Sequence, residues 1–335
     1  MSGALSFESV LIKNLRIQRF KSIRDLSLAC RKVNVFIGAP DTGKTNILEA
    51  LQFLSCLGWN LPIGDSIRLQ EGLGFHPLFY KQFFDQPVVI TWDEGSLSAS
   101  LEGDRLNLAY RGPGGDFTAG LGFPGVLPVE ALSGVRHYSY SSSRVWRYSI
   151  DGRDGASTIL PPQGSNFLYI ARHDERVYGF LRETVSDIHW KLRFDNAQKQ
   201  FYLSEVRKDD IFDYNLELLS DSLKRLIFYG AILITSETSV LVMDEPDVYA
   251  FPPYPKILGE MIADDKSNQF FLTTHNPYFL SALVEKTAES DLALFVCGRD
   301  PEGGTTARLL STAEVQDVIQ QGASVFFNLE EFLEA

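Results

Sequence analysis

The chain has 335 residues, 44% hydrophobic and 22% charged, an ordinary globular balance with enough apolar side chain for one elaborated domain or a core plus a small lobe. A net charge of −12 excludes a surface that binds nucleic acid everywhere, although a segregated basic face is compatible with it. Cys30, Cys56 and Cys297 are far apart and odd in number, so they form neither a metal spacing nor a disulfide framework and fit a reducing cytoplasm.

Residues 1–5 lack a basic segment followed by a long apolar run, and apolar stretches such as 226–234 are about half the length a bilayer requires. A cytoplasmic protein with no membrane span is expected. Residues 11–20 and 26–29 read as two strands around a turn, with Lys13, Arg16, Arg19, Lys21, Arg24, Arg31 and Lys32 making the segment basic. Such a segment is either a solvated strand surface or a local basic face. Residues 33–37 form an apolar run of the kind a buried strand needs. It ends at Gly38, and helical periodicity takes over from Asn46 through Leu54.

From about 58 to 125 Gly and Pro are frequent, and Val88–Trp92, 97–101 and 106–110 alternate as antiparallel strands, with a loop at 111–115. Short strands are expected at 135–140 and 146–149, helix over much of 167–190, and a hairpin from 190–194 and 200–206. Helical period returns from Leu216. Apolar strands follow at 240–243, Gln269–Thr273 and 292–296, with a helix at 256–263 between the first two. Residues 1–57 and 210–335 are therefore expected to build the core, and 58–209 a β-rich lobe with an inserted α/β region.

Gly38-Ala39-Pro40-Asp41-Thr42-Gly43-Lys44-Thr45 fits G-x-x-x-x-G-K-[ST] without a mismatch. The glycines let successive N–H groups curl into an anion nest, and the following helix sets its positive end beneath the phosphates of ATP. Lys44 is expected to reach the β and γ phosphates, and the Thr45 hydroxyl to ligate Mg2+. A chance match on a Gly turn is the competing reading; the flanking strand and helix argue against it.

Val240-Leu-Val-Met-Asp244-Glu245-Pro246 is an apolar strand ending in two acids. It delivers Asp244 to the carboxyl end of a sheet, where it is expected to hold Mg2+ through water, with Glu245 orienting or deprotonating the attacking water. Phe270-Phe-Leu-Thr-Thr274-His275-Asn276-Pro277 is a third apolar strand with a polar tip, where a neutral His275 could hydrogen-bond the γ-phosphate. A lone histidine is more often structural; its place after a third core strand favours the functional reading. Ser220 and Ser222 precede a long helix, where capping hydroxyls belong.

Together with Ile17-Gln-Arg-Phe-Lys21-Ser22-Ile23 and Thr45-Asn46-Ile-Leu-Glu49-Ala50, these segments resemble the ABC-type ATPase heads of the RecF, SMC and Rad50 group, and most of all the stand-alone prokaryotic AAA-type ATPases related to the OLD family. The resemblance covers about the first 55 and last 120 residues well and the middle weakly. It implies a P-loop NTPase fold of the ABC-ATPase head type: a mostly parallel core sheet, an antiparallel β-rich lobe and an inserted mixed α/β region. It also implies a homodimer that sandwiches ATP, with Ser220 from one subunit closing on the γ-phosphate held by the other. Lys21, Ser22 and Asn46 are carried over as residues near the nucleotide.

Some positions depart from the pattern. Ser222 stands where glycine is typical, and Val248-Tyr249-Ala250-Phe251-Pro252 replaces the usual residues after the second acid. Gln82 and Gln86 are both candidates for the expected glutamine of the middle region. The roughly 175 residues between phosphate loop and signature hold no coiled-coil arms, and about 60 residues follow His275 without clustered acids on strands. A head without arms or a built-in nuclease is expected: an ATPase switch acting on DNA or a partner protein in DNA maintenance or defence, or a regulatory module in which ATP controls assembly with an effector. A small-molecule kinase is the third reading, and the Glu245-Pro and His275 strands speak against it.

Overall fold

The computed structural model describes residues 11–70, 72–122, 129–142, 145–146, 156–208 and 210–334. The reading of residues 1–5, and most of the strand expected at 146–149, lie outside them; Trp146 itself is in a turn.

The chain opens with an antiparallel pair, β1 (Asn14–Phe20) and β2 (Ile23–Ala29), and then β3 (Val33–Gly38), which runs into helix α1 (Lys44–Trp59). A short helix α2 (Ile63–Ser66) precedes the antiparallel strands β4 (Val88–Trp92), β5 (Gly95–Glu102), β6 (Arg105–Arg111) and β7 (Phe117–Gly122). Next come β8 (Val135–Tyr138), α3 (Phe167–His173), α4 (Glu175–Ser186), and the strands β9 (Lys191–Asp195), β10 (Gln200–Arg207) and β11 (Asp210–Asn215). The C-terminal part holds α5 (Asp221–Thr235), β12 (Val240–Asp244), α6 (Pro253–Asp264), β13 (Gln269–Thr273), α7 (Pro277–Lys286), β14 (Leu292–Arg299), β15 (Thr305–Leu309), α8 (Thr312–Gln321) and α9 (Glu331–Glu334).

Among the described residues the strands form three sheets. The core sheet has the order β15-β14-β3-β13-β12-β8 and is parallel except for β15. Its central strands β14, β3, β13 and β12 are buried on both faces, which hides any alternation in the sequence. Val33, Val35 and Ile37 of β3 join the core on one face with Leu241, Phe270 and Leu294; Phe36 joins that on the other with Val242, Phe271 and Phe295. Asn34, buried in the middle of β3, is satisfied by the Arg31 backbone and the Phe270 carbonyl. Helix α1 lies within the second core, burying Ile47, Leu48, Leu51 and Leu54.

The second sheet, β2-β1-β4-β5-β6-β7, is wholly antiparallel, and the third is the small sheet β11-β10-β9. Strands β1 and β2 thus pair with the lobe although their residues fall within 1–57, while β8 lies at the core-sheet edge, parallel to β12, although its residues fall within 58–209. The chain segments of core and lobe interleave. The hairpin expected at 190–206 forms and gains β11 as a third strand.

Three of the seven N-terminal basic residues, Arg16, Lys21 and Arg24, are ion-paired within the chain, and two more are bonded to backbone. Arg16 pairs with Asp25 across the β1–β2 ladder at 2.6 Å, and Arg24 with Glu302 at 2.6 Å. Arg31 donates to the Glu289 and Leu292 carbonyls at 2.6 and 2.8 Å, Lys32 to the Asp265 carbonyl, and Lys21 forms a buried ion pair with Glu49. These ion pairs offset part of the local positive charge, while Arg31 and Lys32 keep theirs against neutral carbonyls.

Candidate functional site

Parallel pairing sets the carboxyl ends of β3, β12 and β13 along one edge of the core sheet. Asp244 is in register with Thr273, and Thr273 with Phe36, two residues before Gly38. Segments about 200 residues apart in sequence thereby meet, at the edge where open parallel sheets hold ligands.

The loop 38–45 owes its course to its two glycines. A Cβ at Gly38 would stand 2.6 Å from the Cys297 carbonyl oxygen of β14. Gly43 has φ 92°, and a Cβ there would meet Thr305 Oγ1 at 1.9 Å and Ser22 Oγ at 2.9 Å. Gly43 caps α1 without a side-chain hydrogen bond, so the first N–H groups of the helix face the loop as donors for an anion. Thr42 Oγ1 donates to the Ala39 carbonyl at 2.9 Å, and Asp41 takes φ 61°. The Arg299 guanidinium braces the turn from β14, with Nε donating to the Asp41 carbonyl at 2.8 Å. Ala39 and Pro40 form the exposed crest.

Lys44 Nζ donates to the Gly38 and Ala39 carbonyls at 3.0 and 2.8 Å, folded back over its own loop. Burial lowers its pKa, opposed by the nearby Cys297, Glu245, Asp244 and Asp41. Thr45 Oγ1 donates to Asp244 Oδ1 at 3.4 Å, and the same oxygen accepts from Thr273 Oγ1 at 2.5 Å. Arg68 reaches Asp244 Oδ2 at 3.3 Å from the segment after α2. A hydroxyl and a carboxylate this close are hard oxygen donors of the kind Mg2+ takes, completed by phosphate and water. Among the described residues no cluster of three or more His, Cys, Asp or Glu could hold a metal by itself.

Glu245 follows β12 at φ 46° and donates its backbone N–H to Thr273 Oγ1 at 3.0 Å. Its Oε1 lies 3.5 Å from His275 Nε2. Burial lowers the His275 pKa, and the Lys44 charge acts in the same direction, against Glu245 and Asp244; the neutral imidazole is favoured. Asn276 caps α7 by accepting from the Tyr278 N–H at 2.9 Å, which fixes the loop that carries His275.

The remaining candidates divide. Asn46 Nδ2 donates to Ser22 Oγ at 2.6 Å, and Ser22 Oγ is 2.6 Å from Thr305 Oγ1, so these three polar groups back the phosphate loop at Gly43. Lys21 is committed elsewhere: Nζ pairs with Glu49 on α1 and donates to the Arg68 carbonyl at 2.7 Å, while the Arg68 N–H donates to Glu49 Oε1 at 2.9 Å. Ser220 is the N-cap of α5, accepting from the Leu223 N–H at 3.4 Å. Gln82 lies in the turn Tyr80–Gln82 at φ 60° and Gln86 in the exposed stretch before β4; among the described residues neither side chain bonds to the phosphate loop.

Sequence reasoning passed over Arg68, Arg299 and Thr305. No local pattern marks any of them, and each is recruited only by the fold.

No protein-family model matches the chain, and no curated protein matches it in sequence. Solved structures do. A crystal structure of an SMC head bound to the C-terminal winged-helix domain of ScpA has a TM-score of 0.55 at 16% identity, covering 90% of this chain and 99% of that one. The recombination mediator RecF bound to ATP gives a TM-score of 0.42 at 14% identity, with 90% and 99% covered. The fold is similar to that of the SMC head. No helix among the described residues is long and apolar enough to cross a membrane.

Proposed function

We propose that the chain binds ATP with Mg2+ in the loop 38–45 and hydrolyses it, using the nucleotide to bring two copies together as a switch. The observation that carries this reading is the convergence of Lys44, Thr45, Asp244, Glu245 and His275 at one sheet edge, with Thr45 and Asp244 3.4 Å apart and Glu245 and His275 3.5 Å apart.

Lys44 exchanges its two carbonyl partners for phosphate oxygens, and the first N–H groups of α1 complete the cradle. Thr45 and Asp244 would hold Mg2+, which would supply neutralisation of phosphate charge. Glu245 accepts the proton of the attacking water or orients it, and neutral His275 donates toward the γ-phosphate. Ser220 of a second copy closes the site. The tight, pre-bonded loop leaves the protein mainly positioning and charge placement to perform, which is what phosphoryl transfer requires.

The effector is read as a protein more than as DNA. Ion pairs of Arg16, Lys21 and Arg24 offset three of the seven cations that motivated a DNA surface. The solved SMC head that shares the fold is itself bound to a protein domain. Tyr249 and Tyr278 are exposed beside Glu245 and His275, where a polar loop would serve a simple hydrolase as well.

The test is single-turnover hydrolysis with light scattering on the wild type and Glu245→Gln. The variant should bind ATP, hydrolyse it at least about a hundredfold more slowly, and accumulate as a dimer. Hydrolysis at the wild-type rate would remove Glu245 from its role. A wild type that turns over only when an effector is added favours the regulatory module.

A further inference from the structure

The segment that carries Glu245 leaves β12 and turns back toward the start of α5, and it is held at three places. Near β13, Glu245 donates its N–H to Thr273 Oγ1 at 3.0 Å, and Oδ2 of the buried Asp247 carboxyl group accepts from Thr274 Oγ1 at 2.8 Å. The third anchor comes from the helix. Ser222 Oγ donates to the Tyr249 carbonyl at 3.1 Å, and the Phe251 N–H donates back to Ser222 Oγ at 3.0 Å. One hydroxyl satisfies both backbone groups at the far end of the loop.

The loop needs that anchor. Tyr249 takes φ 56°, a left-handed conformation unfavourable for a bulky residue, and its side chain is 87% exposed, so burial of the ring does not hold it there. Phe251 is exposed as well. The backbone bonds to Ser222 compensate for what the side chains do not supply. Glycine, which the family resemblance leads one to expect at this position, has no side chain to form either bond.

We propose that Ser222 is a positioning residue for the Glu245 carboxylate, latching residues 249–251 to the first turn of α5. The proposal rests on the hydrolytic reading of the site given above. Its consequence is mechanical. Ser220, two residues earlier on the same helix end, is the group assigned to the nucleotide of a second copy. A shift of that helix end on contact is passed through one hydroxyl to the loop that bears Glu245, so occupancy of one site is felt at the other.

The experiment is residue-resolved amide exchange together with steady-state ATP turnover on the full chain, for wild type, Ser222→Ala and Ser222→Thr. In the alanine variant the Phe251 amide should exchange roughly five- to tenfold faster, the fold-change expected for one lost hydrogen bond. Its kcat should fall by a similar factor, with KM for ATP within about twofold. Threonine keeps the hydroxyl and should restore both, which a purely structural effect of side-chain size would not do. Unchanged exchange at Phe251 in the alanine variant overturns the latch. Faster exchange with an unchanged kcat overturns its role in positioning Glu245. If the wild type binds ATP and never turns it over, the hydrolytic reading falls by itself, and exchange at Phe251 still decides whether the latch exists.

Discussion

Replacing Lys21 by methionine tests how the structure uses this residue. Lys21 and Glu49 form an ion pair whose side chains are 10% and 1% exposed, and the second Glu49 oxygen holds the Arg68 N–H at 2.9 Å. Burial lowers the Lys21 pKa, opposed by the Glu49 charge that it faces. Methionine fills the volume and leaves a carboxylate buried without its cation, a change that costs about 3–5 kcal/mol in comparable sites. For 335 residues the unfolding entropy is about 0.7 kcal/mol per degree, so the midpoint should fall by about 4–7 °C if unfolding is two-state. Removing both charges with Lys21→Met and Glu49→Leu should recover most of the loss, because a buried pair contributes little net stability once both partners go. Urea denaturation of the single and double variants gives the cycle, and ATP titration of each gives the affinity. A single variant with wild-type stability but ATP affinity weakened tenfold would refute this reasoning and return Lys21 to the nucleotide.

Gly43→Ala should abolish detectable ATP binding by calorimetry, because its Cβ would fall 1.9 Å from Thr305 Oγ1; trimming that neighbour with Thr305→Ala should restore only part, since φ 92° remains. Asp247, buried with its pKa raised to about 7, is favoured as the neutral acid. That contribution is full below about pH 4, the range of a free carboxylate, and is lost as pH rises through 7. Asp247→Asn should therefore gain stability relative to wild type from pH 4.5 to 8, by at most about 4 kcal/mol, and parallel pH profiles of the urea midpoint would disprove it. His137 is fully buried with its pKa pushed down to about 3, so its neutral form supports the fold above about pH 6.5 and that support fades as pH falls toward 3. His137→Gln should be less acid-sensitive across that window in thermal scans, whatever its stability at pH 7.

The parts of the fold legible beforehand are those whose signal is continuous in the chain. The loop 38–45 sits between a wholly apolar strand and a periodic helix, and Asp244 and His275 each end an apolar run, so a shared sheet edge followed from the parallel α/β pattern. What escaped was set by partners distant in sequence. The four residues of β8 look like any short strand, and only pairing with β12 assigns them to the core sheet. The strand β15, Thr-Thr-Ala-Arg-Leu, has only Ala307 and Leu309 as an apolar alternation, too short to mark a strand, yet it brings Thr305 against Gly43. The basic run in β1 and β2 looked available as a surface because the antiparallel register that sets Arg16 near Asp25 is not written in either strand alone. Ser222 looked like a missing glycine until the loop at 249–251 folded back onto it.

The position of β3 between β13 and β14 has a consequence for synthesis of the protein. Both neighbours lie more than 230 residues downstream, so the strand that feeds the phosphate loop leaves the ribosome long before either partner exists. Pairings of that separation are slow to form, since the intervening chain must first be ordered. A nascent chain ending before residue 292 contains the whole nucleotide motif but lacks β14, against which Gly38 packs, and Arg299, which braces Asp41. On the proposed function, competence for ATP therefore arrives late in translation, and a truncated product carries the motif without the completed loop.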